Sequence, residues 1–143
     1  MEHGDEIVKH TAFTLCYSEA HEQAKWVAYH LTAEMCDNSG EERTNNFRTD
    51  PDVKTGSASP EDYKKSGFDR GHLCPAGDMG WSEQTMSESF FMSNMSPQAP
   101  SFNRGIWKKL EEQIRVFRKN NNWKLILRRV DRHCKLLLWT SWT

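Results

Sequence analysis

The sequence predicts an α+β fold built on an antiparallel sheet, and three observations carry that prediction. Residues 10–17 place Phe13, Leu15 and Tyr17 on one side of a period-two alternation, the pattern of a strand with one buried face. Residues 24–32 repeat that texture after a polar turn, with Trp26, Ala28 and His30 alternating against Val27, Tyr29 and Leu31, so the two runs form an antiparallel hairpin. From about Ser101 to Lys119, Trp107, Leu110, Ile114 and Phe117 recur at three- and four-residue steps while Lys108, Lys109, Glu112 and Arg115 fall elsewhere. That is an amphipathic helix.

Between these elements the composition changes. Residues 34–59 are rich in Asn, Asp, Thr and Gly and end near Pro60, which predicts a long surface loop of the kind that often carries function. Ser59-Pro60-Glu61-Asp62 begins a short helix, with a capping hydroxyl, proline in the first turn and acids at the positive end of the dipole; Gly67 stops it. An extended segment through His72 and Leu73 follows, then a short helix from Ser82 to about Ser89, then a second extended piece over Phe91–Asn94. Asn120, Asn121 and Asn122 end the main helix, and residues 123–130 and 135–142 read as two strand-like runs. No internal repeat is present.

The chain has 143 residues and 36% hydrophobic content, which suits a single domain over residues 1–143. It lacks a run of about 18 apolar residues, so no membrane partner is expected, and Met1–Glu6 lacks the basic and apolar start of a secretory signal. Cys16, Cys36, Cys74 and Cys134 are scattered without zinc-ligand spacing, leaving two disulfides or buried free thiols as the alternatives. The net charge of −1 hides an imbalance: residues 104–143 hold eleven Lys and Arg against three Asp and Glu. A basic end of this kind either meets a polyanion or is a solvated tail.

The residues that can carry chemistry cluster in three segments: Asp69-Arg70-Gly71-His72, Ser93-Asn94 through Pro97-Gln98, and Phe102-Asn103 through Trp107 to Glu111. His72 offers a general base beside Arg70, whose guanidinium grips a phosphate through paired hydrogen bonds, and Gly71 lets the backbone approach a ligand closely. Asn103, in the first turn of the strong helix, offers an amide oxygen of the hard type that Mg²⁺ prefers. Glu111, about two turns further on, can orient metal-bound water. Asn94 can bond the scissile phosphate or position Asn103, and Arg43 or Arg48 can bring a second positive charge. Each has a plainer reading: a surface turn for Arg-Gly-His, a helix cap for Asn103, a surface ion pair for Glu111. Trp26 and Trp107 lie on apolar faces and suit the core, Trp81 is the tryptophan to consider for substrate contact, and His3, His10, His21, His30 and His133 show no ligand spacing.

In order and spacing these three segments resemble the signature of the DNA/RNA non-specific endonucleases, the endonuclease G-like ββα-metal nucleases. Residues 26–32 and Thr49-Asp50-Pro51 resemble further family stretches, so the similarity covers roughly residues 7–118. The resemblance implies a ββα-metal (His-Me finger) active-site motif in which two antiparallel strands and a helix hold one Mg²⁺, with Mn²⁺ as an alternative. It implies His72 as general base, Asn103 as the sole direct protein ligand of the metal, Arg70 on the transition state, Glu111 on the metal's water shell and Asn94 helping to fix the site. The implied substrates are DNA and RNA, cut to 5′-phosphate ends without reading base or sugar, because every such group addresses the phosphate. Export to a secreted or periplasmic location is also implied; oligomeric state is left open.

The chain departs from the family pattern twice. An arginine common in the family's upstream loop aligns with Asn45, so Arg43 or Arg48 is expected to stand in. After about Arg118 the Thr-Gly-Pro-like turn is missing, so the fold is expected to be truncated at its C-terminal end. This departure supports an alternative from another class, a catalytically impaired nuclease-like fragment that binds nucleic acid or a partner. A metal-dependent phosphodiesterase for small or lipid substrates fits the chemistry but not the resemblance.

Overall fold

Strand alternation places the first layer of the molecule, and the computed structural model describes residues 4–119 and 125–129 of it. Strands β1 (Asp5–Lys9), β2 (Phe13–Ser18), β3 (Gln23–His30) and β6 (Leu125–Arg129) form an antiparallel sheet in the order β1-β2-β3-β6. The hairpin expected from the sequence is the β2–β3 pair. A register shift between Cys16 and Tyr17 lets neighbouring residues of β2 both go inward, as a bulge allows. Hence Leu15, Cys16 and Tyr17 are all buried together with Val27, Tyr29 and Leu31. Strand β1 was not foreseen, because Asp5, Glu6 and Lys9 mask its alternation; charged residues of this type suit a sheet edge.

The polar stretch after β3 is less irregular than its composition suggests. Thr32, expected to continue the strand, instead caps helix α1 (Ala33–Asp37) by accepting the Met35 N–H at 3.2 Å. Helix α2 (Pro60–Tyr63) lasts a single turn: the Ser59 N–H and hydroxyl both donate to the Asp62 carboxylate, at 2.7 and 3.0 Å. It stops before Gly67 because Lys64 is already extended, with ψ 124°, and Lys65 then turns left-handed, with φ +58°. Helix α3 (Glu83–Glu88) begins where the sequence places it, with the Ser82 hydroxyl accepting the Thr85 N–H.

A second, two-stranded sheet pairs β4 (Asp69–His72) antiparallel with β5 (Met95–Gln98). The expected extended piece over Phe91–Asn94 is a 3₁₀ turn at Met92–Asn94, so the strand starts at Met95. Three side-chain bonds hold the turn: Ser93 Oγ donates to Asp50, and Asn94 Nδ2 donates to the Cys74 and Ser89 carbonyls. Pro97 lacks an N–H and sits in β5, an edge strand of this two-stranded sheet, where proline is tolerated.

The expected main helix is realised in three pieces: α4 (Pro100–Phe102), a π-helical turn over Asn103–Trp107, and α5 (Lys108–Lys119). Trp107 is buried, as its apolar spacing implies, and Arg118 reaches across to donate to the Leu31 carbonyl. The Tyr29 hydroxyl donates to Asp78 Oδ2 at 2.7 Å and Arg115 Nη1 donates to Asp78 Oδ1 at 3.1 Å. One buried carboxylate thus ties the four-stranded sheet to α5. The strand-like run at 135–142 lies outside the described residues. No helix among the described residues is long and apolar enough to cross a membrane.

Candidate active site

The β4–β5 pair and the following helix enclose a cleft of about 950 Å³. Its lining includes Arg70 and His72 from β4, Asn103 from the π-helical turn, Glu111 from α5 and Arg43 from the long loop. Arg70 and His72 are two positions apart on one strand and so point to one face. That face is marked by the Phe47 ring, 3.8 Å from the Arg70 guanidinium and 5.9 Å from the His72 ring centroid. Phe90 meets His72 edge-on at 4.9 Å. Aromatic packing from two sides therefore limits the imidazole's rotation.

Eight residues separate Asn103 from Glu111, which on a regular α-helix leaves them about 80° apart. A break in the helix between them changes this. Asn103 and Glu111 thereby line the same cleft. The helix is kinked at Gly105, whose φ of −101° and ψ of −105° are non-helical.

Asn103 is also oriented. Its Nδ2 donates to Asp69 Oδ2 at 3.0 Å, and the same carboxylate takes Arg104 Nε and Nη2 at 2.8 Å each. Hydrogen bonds from Arg104 and Asn103 hold the Asp69 carboxyl below its usual range, and Asp69 in turn raises the Arg104 guanidinium. An amide whose nitrogen is fixed by a carboxylate offers its oxygen elsewhere. Asn103 Oδ1 and the Glu111 carboxylate are hard oxygen donors of the class Mg²⁺ takes, so this donor set fits such an ion. The cleft lining carries Arg43, Lys64, Arg70, Arg104, Lys108 and Arg115 against Glu61, Asp69 and Glu111. That surplus of positive charge suits a polyanion.

Gly71 serves packing rather than ligand approach: a Cβ there would lie 2.1 Å from the Gln98 Cδ. Asn94 is fully buried and does not line the cleft. Its Oδ1 accepts the Cys74 N–H at 2.8 Å, its Nδ2 donates to the Cys74 and Ser89 carbonyls at 2.9 Å, and its backbone carbonyl accepts the Leu73 N–H at 2.9 Å. Asn94 thus extends the β4–β5 ladder just past His72. Of the two loop arginines, Arg43 reaches the cleft; Arg48 is engaged by the Asn46 and Ser87 carbonyls, over the Phe91 ring.

The family model for DNA/RNA non-specific endonucleases matches residues 2–128. This chain belongs to that family. It is 41% identical to the mitochondrial nuclease EXOG of Danio rerio over 80% of its length and 38% identical to human mitochondrial endonuclease G over 73%. It is 37% identical to nuclease C1 of Cunninghamella echinulata over 80%. The chain spans about a third of the length of the two mitochondrial relatives, 34% and 35%. A solved EndoG/EndoGI complex contains a chain that superposes with a TM-score of 0.71 at 28% identity, covering 94% of this chain and 59% of that one. The ββα arrangement of β4, β5 and the 100–119 helix is the family's fold in this chain.

His10, expected to stand apart, does not. Its Nε2 lies 2.9 Å from Asp50 Oδ2 and its Nδ1 3.5 Å from Asp52, bringing three ligand-type groups within 4.8 Å of one another. Asp50 Oδ2 also accepts the Ser93 hydroxyl and Oδ1 accepts the Asp52 N–H. Burial pushes the Asp50 carboxyl up, but hydrogen bonds from His10, Ser93 and the Asp52 backbone outweigh it and hold the carboxyl below its usual range. Because these atoms already satisfy one another, the cluster reads as a tie between loops more than as a cation site. Trp81 lines a separate concavity with His10, Phe13 and Tyr29, away from the cleft. Cys16, Cys36 and Cys74 are buried, Cys16 and Cys36 as free thiols; Cys134 lies outside the described residues.

Sequence reasoning missed Asp69, Arg104 and Phe68 as cleft residues. Asp69 and Arg104 had a signal, since each adjoins a residue singled out. Their pairing across 35 positions had none.

Proposed function

We propose that this chain hydrolyses phosphodiester bonds of DNA and RNA without sequence or sugar preference, leaving 5′-phosphate ends, and that residues 1–143 act as one catalytic domain. The convergence of Arg70, His72, Asn103 and Glu111 on one cationic cleft supports this reading above all else. His72 removes a proton from the attacking water as the water oxygen bonds to phosphorus and the bond from phosphorus to the 3′ oxygen breaks, the released 3′ oxygen taking a proton from solvent. Arg70 neutralises charge developing on the non-bridging oxygens, and Arg43 adds a second positive group to the same cleft. When bound through Asn103, Mg²⁺ supplies Lewis-acid stabilisation of the phosphate and of the departing 3′ oxygen. Glu111 orients water around that position, and Asp69 holds the Asn103 amide in place.

Every group acts on phosphate, which DNA and RNA share. Incubation with plasmid and with RNA, with Mg²⁺ and with EDTA, tests the reading: both substrates are degraded under Mg²⁺ and spared by EDTA and by His72→Ala. Intact substrates under Mg²⁺, or digestion unchanged by His72→Ala, refute it. Salt-sensitive DNA binding without cleavage would identify the nuclease-like binding fragment instead, which the basic end favours.

A further inference from the structure

One rim of the cleft is aromatic and has no part in the phosphate chemistry. Phe68 immediately precedes β4, is 54% exposed and borders the cleft, so its ring face is open to whatever occupies that cleft. Phe68 lies two positions before Arg70, at the entry to β4. Phe68, Arg70 and His72 all line the cleft. The ring also borders a second concavity of about 430 Å³, lined by Tyr63, Ala58, Pro97, His21, Gln23 and Asp62 among others.

The backbone beneath this ring forms a hydrogen-bonded turn. Lys65 and Gly67 both take left-handed conformations, with φ +58° and +83°. The Ser66 hydroxyl sits between them, donating to the Tyr63 carbonyl at 2.8 Å and accepting the Phe68 N–H at 3.1 Å. Tyr63 is half-buried against Ala58, Met92 and Met95, and that burial pushes its hydroxyl up to about 12. The turn therefore presents a preset aromatic plate at the cleft mouth, so little ordering entropy opposes binding to it.

We propose that Phe68 is a stacking platform for an unpaired nucleobase one step from the scissile phosphate, with the Tyr63–Pro97 concavity receiving that base. The inference rests on the proposed nuclease function and names the state of the substrate that it favours. The occupant follows from continuity: a strand whose phosphate sits at Arg70 and His72 must place its adjoining base within reach of the side chain two positions before Arg70. Every base has a π-face, so the platform is blind to sequence yet discriminates by strandedness, since bases inside a duplex are already stacked on one another.

The test compares a single-stranded oligothymidylate with the same oligonucleotide carrying stable abasic residues at its cleavage sites. The wild-type chain with Mg²⁺ should cut the base-bearing strand with about 5- to 100-fold higher kcat/KM. Phe68→Ala should bring that ratio close to one, and Phe68→Trp should retain it. A ratio untouched by Phe68→Ala, or an equal loss on both substrates, overturns the proposal. Should the wild type cut neither strand, the nuclease reading fails by itself. Stacking is then read in EDTA from a 2-aminopurine-labelled strand: quenching by wild type but not by Phe68→Ala supports the platform, and identical fluorescence overturns it.

Discussion

Two polar clusters in this molecule use nearly the same residue types and reach opposite ends. At the sheet, His10, Asp50 and Ser93 are packed out of solvent and answer one another's hydrogen bonds. At the cleft, His72, Asn103, Asp69 and Glu111 line an open concavity of about 950 Å³. The contrast teaches that imidazole, carboxylate and amide do not by themselves make a site. A site needs donors held from behind whose other atoms face a space large enough for substrate. Asp69 does this for Asn103, whereas Asp50 turns inward and joins the 3₁₀ turn at Ser93 to the β1–β2 turn.

The comparison predicts different phenotypes. Asn103→Ala should reduce plasmid cleavage by about 10²- to 10³-fold with little change in melting temperature; loss of fold in this variant would erase the distinction between the clusters. Asp50→Asn should do the reverse, costing about 2 kcal/mol of stability through unsatisfied buried partners, as read by urea denaturation. Because the Asp50 carboxyl lies below its usual range, its contribution is complete above about pH 4, the value expected when unfolded, and disappears as pH falls through the lower folded value. Wild type should therefore lose stability below about pH 4 more steeply than Asp50→Asn, as thermal melts would record.

Smaller effects sharpen the contrast. Asp69→Asn should lower activity about 10- to 100-fold and weaken Mg²⁺ dependence, since the new amide cannot take the Arg104 fork and the Asn103 nitrogen as a carboxylate does. Measuring the Mg²⁺ concentration for half-maximal cleavage separates this from general damage. Gly71→Ala should cost about 1–2 kcal/mol because the Gln98 side chain must give way, visible as a lower melting temperature.

Much of the fold was legible. Phe13, Leu15 and Tyr17 against Val27, Tyr29 and Leu31 announce a hairpin through period two, and Ser82 and Ser59 announce helix starts through capping chemistry. The strand β1 was hidden by its charged edge residues, and the turn at Met92–Asn94 by an apolar run that reads as extended. At the site, His72, Arg70, Asn103 and Glu111 could be named from the motif they form, whereas Asn94 could be named but not placed. Its short polar side chain suits a cleft and a buried bridge equally well, and only Cys74 and Ser89 on the other side decide between them.

Local sequence determined the inventory: which residues could act as base, phosphate grip and oxygen ligand, and which strands and helices would carry them. Those properties depend on side-chain chemistry and short-range periodicity. Tertiary structure decided what each group faces. The kink at Gly105 lies between Asn103 and Glu111, which line one cleft, the β4–β5 register laid Gln98 over Gly71, and Asp69 met Arg104 from 35 positions away. Contacts of that range depend on how packed elements close upon one another, which no run of neighbouring residues encodes by itself.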